Sequence, residues 1–388
     1  MESTSQLYDT IIQVLRQYAP CRDVRHLKTL AWMVVGVIQS GQIHLSDWAV
    51  YVQGRARYAA SVIRRFRRWL ANDRVDVAAV YNPLIQQALA DWGPHRLYVA
   101  LDTSMLWNTF CLIRFSLIYR GRAIPLVWKV VVHSSAAIAY EVYAPLLDQV
   151  AALLKPHPGP IVLLADRGFA DIELMAHLRR LGWHWRLRIK SSFWIYRPGH
   201  PPGKVGQFFV APGQAQGWSG VRVTQEQFGP VYLAIGQPLG QSERWVLLSD
   251  EPVTAETFVE YGLRFDIEEN FLDDKSNGFQ LESSRLRSAP ALERVGLVLA
   301  LTTLFLVAQG TQVVAQGQRR RVDPHWFRGD SYLKIGWRWV KRALSIGQAL
   351  SPTLALSSQA DPEPARASRP QAANRAPPVF LQVLSQAA

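Results

Sequence analysis

Residues 160–165 are apolar at every position, and the run stops abruptly at Asp166. A strand with no polar face has to be covered on both sides, which predicts a sheet layered with helices. The flanking spacing agrees. Residues 140–154 read as an amphipathic helix closed by Lys155 and Pro156. Asp171 caps a second helix that runs to Leu181. Residues 96–101 read as a strand ending in Asp102. Residues 110–119 and 123–132 give two more strands, joined by the turn Arg120-Gly121-Arg122, and 184–189 gives a fifth. The predicted order is β-β-β-α-β-α-β, an α/β fold.

The chain on either side has a different texture. Residues 7–92 are spaced helically, with Leu27, Leu30, Ala31, Val34, Val35 and Ile38 at steps of three and four, and Ser46 or Asp47 positioned to cap a helix. Arg55, Arg57, Arg64, Arg65, Arg67 and Arg68, interleaved with Tyr58, Phe66 and Trp69, form the most basic stretch. Such a stretch is either a solvated helix face or a contact for a nucleic-acid backbone, and nearby Lys28 and Arg74 favour the second. Residues 191–250 break the α/β rhythm with Pro198, Pro201, Pro202, Pro212, Pro230 and Pro238 and with short apolar runs, which predicts a β-rich insertion. A long helix is expected from Thr254 towards Leu272 and another over 290–310. Beyond Ser351 the Ala, Pro, Ser and Gln content predicts a flexible tail.

Composition narrows the partner. The 388 residues hold 43 Lys and Arg against 30 Asp and Glu, a formal charge of +13, while only 19% of residues are charged. The imbalance therefore comes from scarce acids, and it points to a polyanion such as nucleic acid or an acidic membrane face. Cys21 and Cys111 are the only cysteines, too few for a disulfide scaffold or a Cys-rich zinc site. Residues 295–308 are the longest apolar run, interrupted by Thr302 and Thr303 and too short to span a bilayer. The expectation is a soluble, basic, cytoplasmic protein.

Asp102 and Asp166 share a context, each following an apolar strand at the edge where ligands collect in open α/β sheets. In the helix that follows the insertion, Tyr261, Arg264, Glu268 and Lys275 fall within an arc of roughly 60° at 100° per residue. Glu269 points about 100° away from Glu268, and Leu263 and Ile267 would dock the helix. One acid, two cations and a phenol on one face suit a site that holds a metal and grips phosphates. An i, i+4 salt-bridged surface helix, Arg264 with Glu268, has the same spacing. Gly199 to Lys204 falls one residue short of a phosphate loop and lacks its Ser/Thr, so nucleotide hydrolysis is rejected. Asp102-Thr103-Ser104 lacks the second Asp of an aspartyl-phosphate site, and His133, His157 and His184 have no metal-ligand spacing.

The spacing Tyr261-x2-Arg264-x3-Glu268-x6-Lys275 resembles the signature of the cut-and-paste DDE transposases of bacterial insertion sequences that carry a β-rich insertion. Leu101-Asp102-Thr103-Ser104 resembles the first catalytic block of that family, and Ala165-Asp166-Arg167-Gly168-Phe169 the second. The resemblance covers roughly residues 95–310. It implies a ribonuclease H-like mixed sheet flanked by helices, with Asp102, Asp166 and Glu268 holding two Mg²⁺ ions for which Mn²⁺ can substitute. It further implies hydrolysis at a transposon end, attack of the freed 3′-hydroxyl on the opposite strand to close a hairpin, and later insertion into target DNA. Tyr261, Arg264 and Lys275 would contact DNA phosphates. Trp245 would be either an aromatic platform for an unstacked base or a buried strand residue. The expected partners are double-stranded DNA and a second copy of the chain in a synaptic dimer, with no membrane and no nucleotide cofactor.

The expected domains are an N-terminal helical DNA-binding domain (1–94), a first catalytic part (95–190), the insertion (191–250), a second catalytic part (251–312), a helical region (313–350) and the tail (351–388). Two other readings are a ribonuclease H-like nuclease or resolvase without strand transfer, and a domesticated, non-catalytic DNA-binding protein.

Overall fold

The computed structural model describes residues 2–20, 23–54, 56–238, 243–275, 278–365 and 380–384. Five helices come first: α1 (Glu2–Tyr18), α2 (Val24–Ser40), α3 (Leu45–Ala49), α4 (Ala59–Leu70) and α5 (Val77–Ala88). Helix α2 starts where the Asp23 side chain accepts from the Arg25 N–H. It ends at Gly41, whose φ of 72° is the left-handed conformation that glycine adopts without a Cβ penalty.

The predicted α/β order follows: β1 (Leu97–Leu106), β2 (Phe110–Tyr119), β3 (Arg122–Val132), α6 (Tyr140–Leu154), β4 (Ile161–Ala165), α7 (Ile172–Leu181) and β5 (His184–Arg188). These strands lie in the order β3-β2-β1-β4-β5. Strands β1, β2 and β3 are antiparallel, and β1, β4 and β5 are parallel. This is the ribonuclease H-like mixed sheet, and β4 is buried at all five positions, as its composition requires.

The insertion contains β6 (Trp194–Tyr196), β7 (Gly203–Lys204), β8 (Gln214–Val223), β9 (Phe228–Gly236) and β10 (Trp245–Ser249). It is not a separate β unit. Strand β10 pairs antiparallel with β5, Leu248 opposite Leu187, so the insertion continues the same sheet through β10, β9, β8, β6 and β7. Separate apolar runs in the sequence carry no record of which edge they join.

The helix expected from Thr254 towards Leu272 is two helices, α8 (Ala255–Gly262) and α9 (Phe265–Lys275). Between them the amides of Leu263, Arg264, Asp266 and Ile267 each bond a carbonyl three residues back. These tight turns replace the α-helical ladder just after Gly262.

Helix α10 (Ala289–Ala315) is the central helix and α11 (Tyr332–Ser345) crosses it. At 27 residues α10 is longer than the apolar run within it, and it is long and apolar enough to cross a membrane. However, 89% of its most apolar window is buried inside the protein, the pattern of a core helix. Residues 351–365 differ from the expected flexible tail. Leu354 and Leu356 are buried, and the Leu356 amide donates to the Ala88 carbonyl. Arg328 pairs with Asp361. The polar composition of this stretch conceals two apolar anchors and an acid facing a buried arginine. Strand β11 (Phe380–Leu384) runs parallel to β8, and the remaining tail lies outside the described residues.

The α10–α11 crossing depends on two glycines. A Cβ on Gly336 would lie 1.8 Å from the Leu306 carbonyl oxygen, and one on Gly310 would lie 2.1 Å from that of Tyr332. Backbone on both sides leaves nothing that can rotate away. Gly336→Ala should therefore destabilise by at least about 1–3 kcal/mol, read as a lower Tm. An unchanged Tm would mean that the helices separate freely.

Candidate active site

The last parallel pair between β1 and β4 is Leu101 with Ala165, so the next residue on each strand is an aspartate. Asp102 is not at the end of its strand. Strand β1 continues to Leu106 paired only with β2, where Arg114 faces Asp102 in register. The polar sequence after Asp102 concealed this extension. Asp166 opens a turn closed by the Phe169 amide on the Asp166 carbonyl, and Phe169 is buried beneath it.

Glu268 comes from α9 and reaches the same edge. The Arg264 guanidinium bridges it to Asp102, at 2.6 Å from Glu268 Oε1 and 3.0 Å from Asp102 Oδ2. Arg264 is only 4% exposed, and its Nε has no partner. Glu269 instead faces Arg122, as the helical spacing predicts. The i, i+4 pair is therefore present, but it is turned into the sheet edge and completed by a third residue from β1.

Asp102 Oδ1 also accepts the Thr103 N–H at 2.8 Å. Burial pushes the Asp102 carboxyl up to about 6, against the pull of Arg264 and the Thr103 amide, and the charges of Glu268 and Asp166 add to the rise. Oxygen donors alone, with negative charge that mutual repulsion makes costly, fit a hard divalent cation in chemical kind. Asp102, Asp166 and Glu268 are the residues that would hold it.

A raised acid costs stability once pH climbs above its ordinary value of 3.8. That cost grows through the window from 3.8 to about 6 and is complete above it. Asp102→Asn removes it. In chelator at about pH 7–8 the variant should melt higher than the parent, by on the order of 1–3 kcal/mol. The difference should vanish below about pH 4, where both side chains are neutral. A parent that melts higher than the variant at neutral pH would contradict the assignment.

Three residues expected at phosphates are placed otherwise. Tyr261 is fully buried, with its hydroxyl 3.5 Å from Asp166 Oδ1, and burial raises its pKa to about 12. It supports the site from beneath. Trp245 is 2% exposed on β10 and packs edge-on against Tyr261 at 5.5 Å and tilted against Phe265 at 5.8 Å. It is the buried strand residue, with no free face for a base. Lys275 donates to the Met105 carbonyl and lies 3.9 Å from Glu282, and Arg264 is held by the two acids. The break between α8 and α9 takes Tyr261 off the helix that carries Glu268 and Lys275, and packing against the sheet covers Tyr261, Arg264 and Trp245.

Arg64, Arg65, Arg67 and Arg68 are exposed on α4, while Val62, Phe66, Trp69 and Leu70 face the core. None of the four arginines has an acidic partner among the described residues; Arg55 lies outside them. Arg167, next to Asp166, and Arg188 both pair with Glu243 at 2.9 Å, which fastens the approach to β10 beside the site.

Among the described residues two groups bring three potential ligand atoms within 4.8 Å of one another, which Asp102, Asp166 and Glu268, with Arg264 between two of them, do not: His184 with Asp250 and Glu251, and Asp323 with His325 and Asp330. The first lies at the opposite edge of the sheet and is neutralised by Arg96 and Arg186. The second is neutralised by Arg319 and Arg338. Arginine already supplies the counter-charge in both. The His184 group exists because β10 returns alongside β5, a pairing that linear spacing does not reveal.

No curated protein matches the chain. Residues 128–305, which run from β3 to α10 and include Asp166 and Glu268 but start downstream of Asp102, match the family described as the transposase DDE domain, so over that stretch the chain is similar to the DDE transposases.

Proposed function

We propose that this protein is a DNA transposase whose Asp102, Asp166 and Glu268 form one metal-dependent site for phosphodiester hydrolysis and strand transfer. The observation that carries this reading is the convergence of carboxylates from β1, the β4 turn and α9 on one sheet edge, with Arg264 drawn between two of them. The similarity to the transposase DDE domain supports it. Bound divalent metal, Mg²⁺ or Mn²⁺ in its place, would supply Lewis-acid activation of an attacking oxygen and stabilisation of a leaving oxygen.

The protein's own contribution is placement. The sheet holds two acids in fixed register and α9 brings the third. Tyr261 and Trp245 keep the floor of the site dry, and Arg264 carries positive charge among the acids. Hydrolysis forms a bond from the water oxygen to phosphorus and breaks the bond to the 3′ oxygen, which leaves as a hydroxyl. That hydroxyl then attacks a phosphorus of the opposite strand, displacing the 3′ oxygen of the flanking DNA and closing a hairpin; water reopens the hairpin to restore the hydroxyl, which attacks a target phosphorus and displaces a target 3′ oxygen. The free arginines of α4 hold the backbone. Residues 1–94 act as a DNA-binding domain, and the chain works as a dimer that pairs two ends.

The test is incubation of the purified protein with Mg²⁺ and a duplex ending in the inverted repeat that flanks its coding region. Nicked, hairpin and target-joined products support transposition. Cleavage without joining would favour a nuclease or resolvase, and binding without cleavage would favour a domesticated DNA-binding protein.

A further inference from the structure

We infer that the protein has a second DNA-contacting surface, built by residues 319–342 and presented on the outer face of α11. The inference rests on the reading that its polyanion is DNA. Residues 55–74 hold seven arginines and one aspartate, and residues 313–350 hold eight cations and two aspartates. Each segment is therefore +6, and together they account for twelve of the thirteen net charges. Arg264 and Lys275 are committed to internal partners, whereas these two segments concentrate exposed cations.

The second segment is organised as a surface. On α11, Leu333, Ile335, Val340 and Leu344 face the core, while Lys334, Arg338, Lys341 and Arg342 share the opposite, exposed face. Arg320 and Arg321 lie beside it, joined through Arg338, whose guanidinium donates to the Val322 carbonyl and pairs with Asp330. Arg320, Arg321, Lys341 and Arg342 have no acidic partner among the described residues, while Lys334 lies in the field of Asp273.

An aromatic residue completes the face. Trp326 is 72% exposed with the Arg320 guanidinium 4.6 Å from its ring centre. Its loop is held rigidly by the buried Arg319, which donates to the His325 carbonyl at 3.0 Å and to that of Trp326 at 3.1 Å. An indole held outward among unneutralised cations suits stacking on a nucleic-acid base or sugar. A second copy of the chain suits it poorly, because a two-fold contact would set one patch of exposed cations against another.

The two basic helices are joined through α2. Trp69, on α4, donates its indole N–H to the His26 carbonyl, and Trp337, on α11, donates to that of Ile38. Twelve residues of helix separate these anchors, about 18 Å. Both basic faces thus belong to one rigid frame.

The test is fluorescence anisotropy of the full chain with a labelled random-sequence duplex across about 50–200 mM salt. The variant R320A/R321A/K341A/R342A changes only exposed side chains, and its thermal melt should match that of the parent. Its salt slope should fall by about three to four, with at least tenfold weaker binding. Trp326→Ala should weaken binding about fivefold or more, with recovery in Trp326→Phe. The α4 variant R64A/R65A/R67A/R68A should add to these losses independently. An unchanged slope and affinity in the α11 variant overturns the inference, as does loss of self-association with DNA binding intact. A parent chain that binds no duplex at any salt overturns the proposed function as well, which distinguishes the two failures.

Discussion

Glu268→Gln should abolish Mg²⁺-dependent cleavage of the transposon end, by about a thousandfold or more, the range expected when a preorganised charge is removed from a transition state. Fold and DNA affinity should survive the change. Glu268 is half exposed, and the buried Arg264 that it pairs with keeps Asp102 as a counter-charge when Glu268 is neutralised. Glutamine preserves shape and one acceptor, so activity alone reports the loss of charge. The control is its neighbour. Glu269 faces Arg122 on the other side of α9, and Glu269→Gln should cleave nearly as well as the parent. Cleavage that withstands Glu268→Gln, or fails equally in both variants, would mean that the catalytic acid lies elsewhere.

That contrast between adjacent acids was legible in the sequence, because helical periodicity alone separates them. So was the sheet, since a strand apolar at every position admits few surroundings, and so was the adjacency of Asp102 and Asp166, which follows once their strands are neighbours. Orientation along the depth of the fold was not legible. The arc that grouped Tyr261, Arg264, Glu268 and Lys275 states which residues share a face and is silent on whether that face meets solvent or protein. Trp245 shows the same limit, since a strand tryptophan before a catalytic helix has one sequence whether its ring is open or covered by Tyr261 and Phe265. The α11 surface was missed for a different reason. Its cations are spread over 24 residues, interleaved with core positions, and gather only when the helix and the preceding turn fold against each other.

The largest effect on stability is expected at a residue that gives no sequence signal at all. Arg114 lies on β2 with 2% exposure, donates to Asn270 Oδ1 at 2.7 Å, and pairs with Asp274 at 2.7 Å, both on α9. Its guanidinium also lies over the Phe271 ring at 5.0 Å. One buried cation therefore fixes the helix that carries Glu268 to the strand opposite Asp102. Arg114→Ala leaves the Asp274 carboxylate buried without a counter-charge, which should cost about 3–5 kcal/mol and lower Tm accordingly. Burial raises the Asp274 pKa above its ordinary value and Arg114 pulls it down. Without Arg114 the carboxyl titrates higher still, so the penalty should shrink on acidification as protonation removes the orphaned charge. Replacing both partners by apolar residues, Arg114→Met with Asp274→Leu, should recover most of the lost stability, because an apolar contact needs no counter-ion. A double-mutant cycle then reads the coupling directly. Single variants that each cost less than about 1 kcal/mol, or a double variant that loses the sum of the two, would show that the pair does not hold α9 in place.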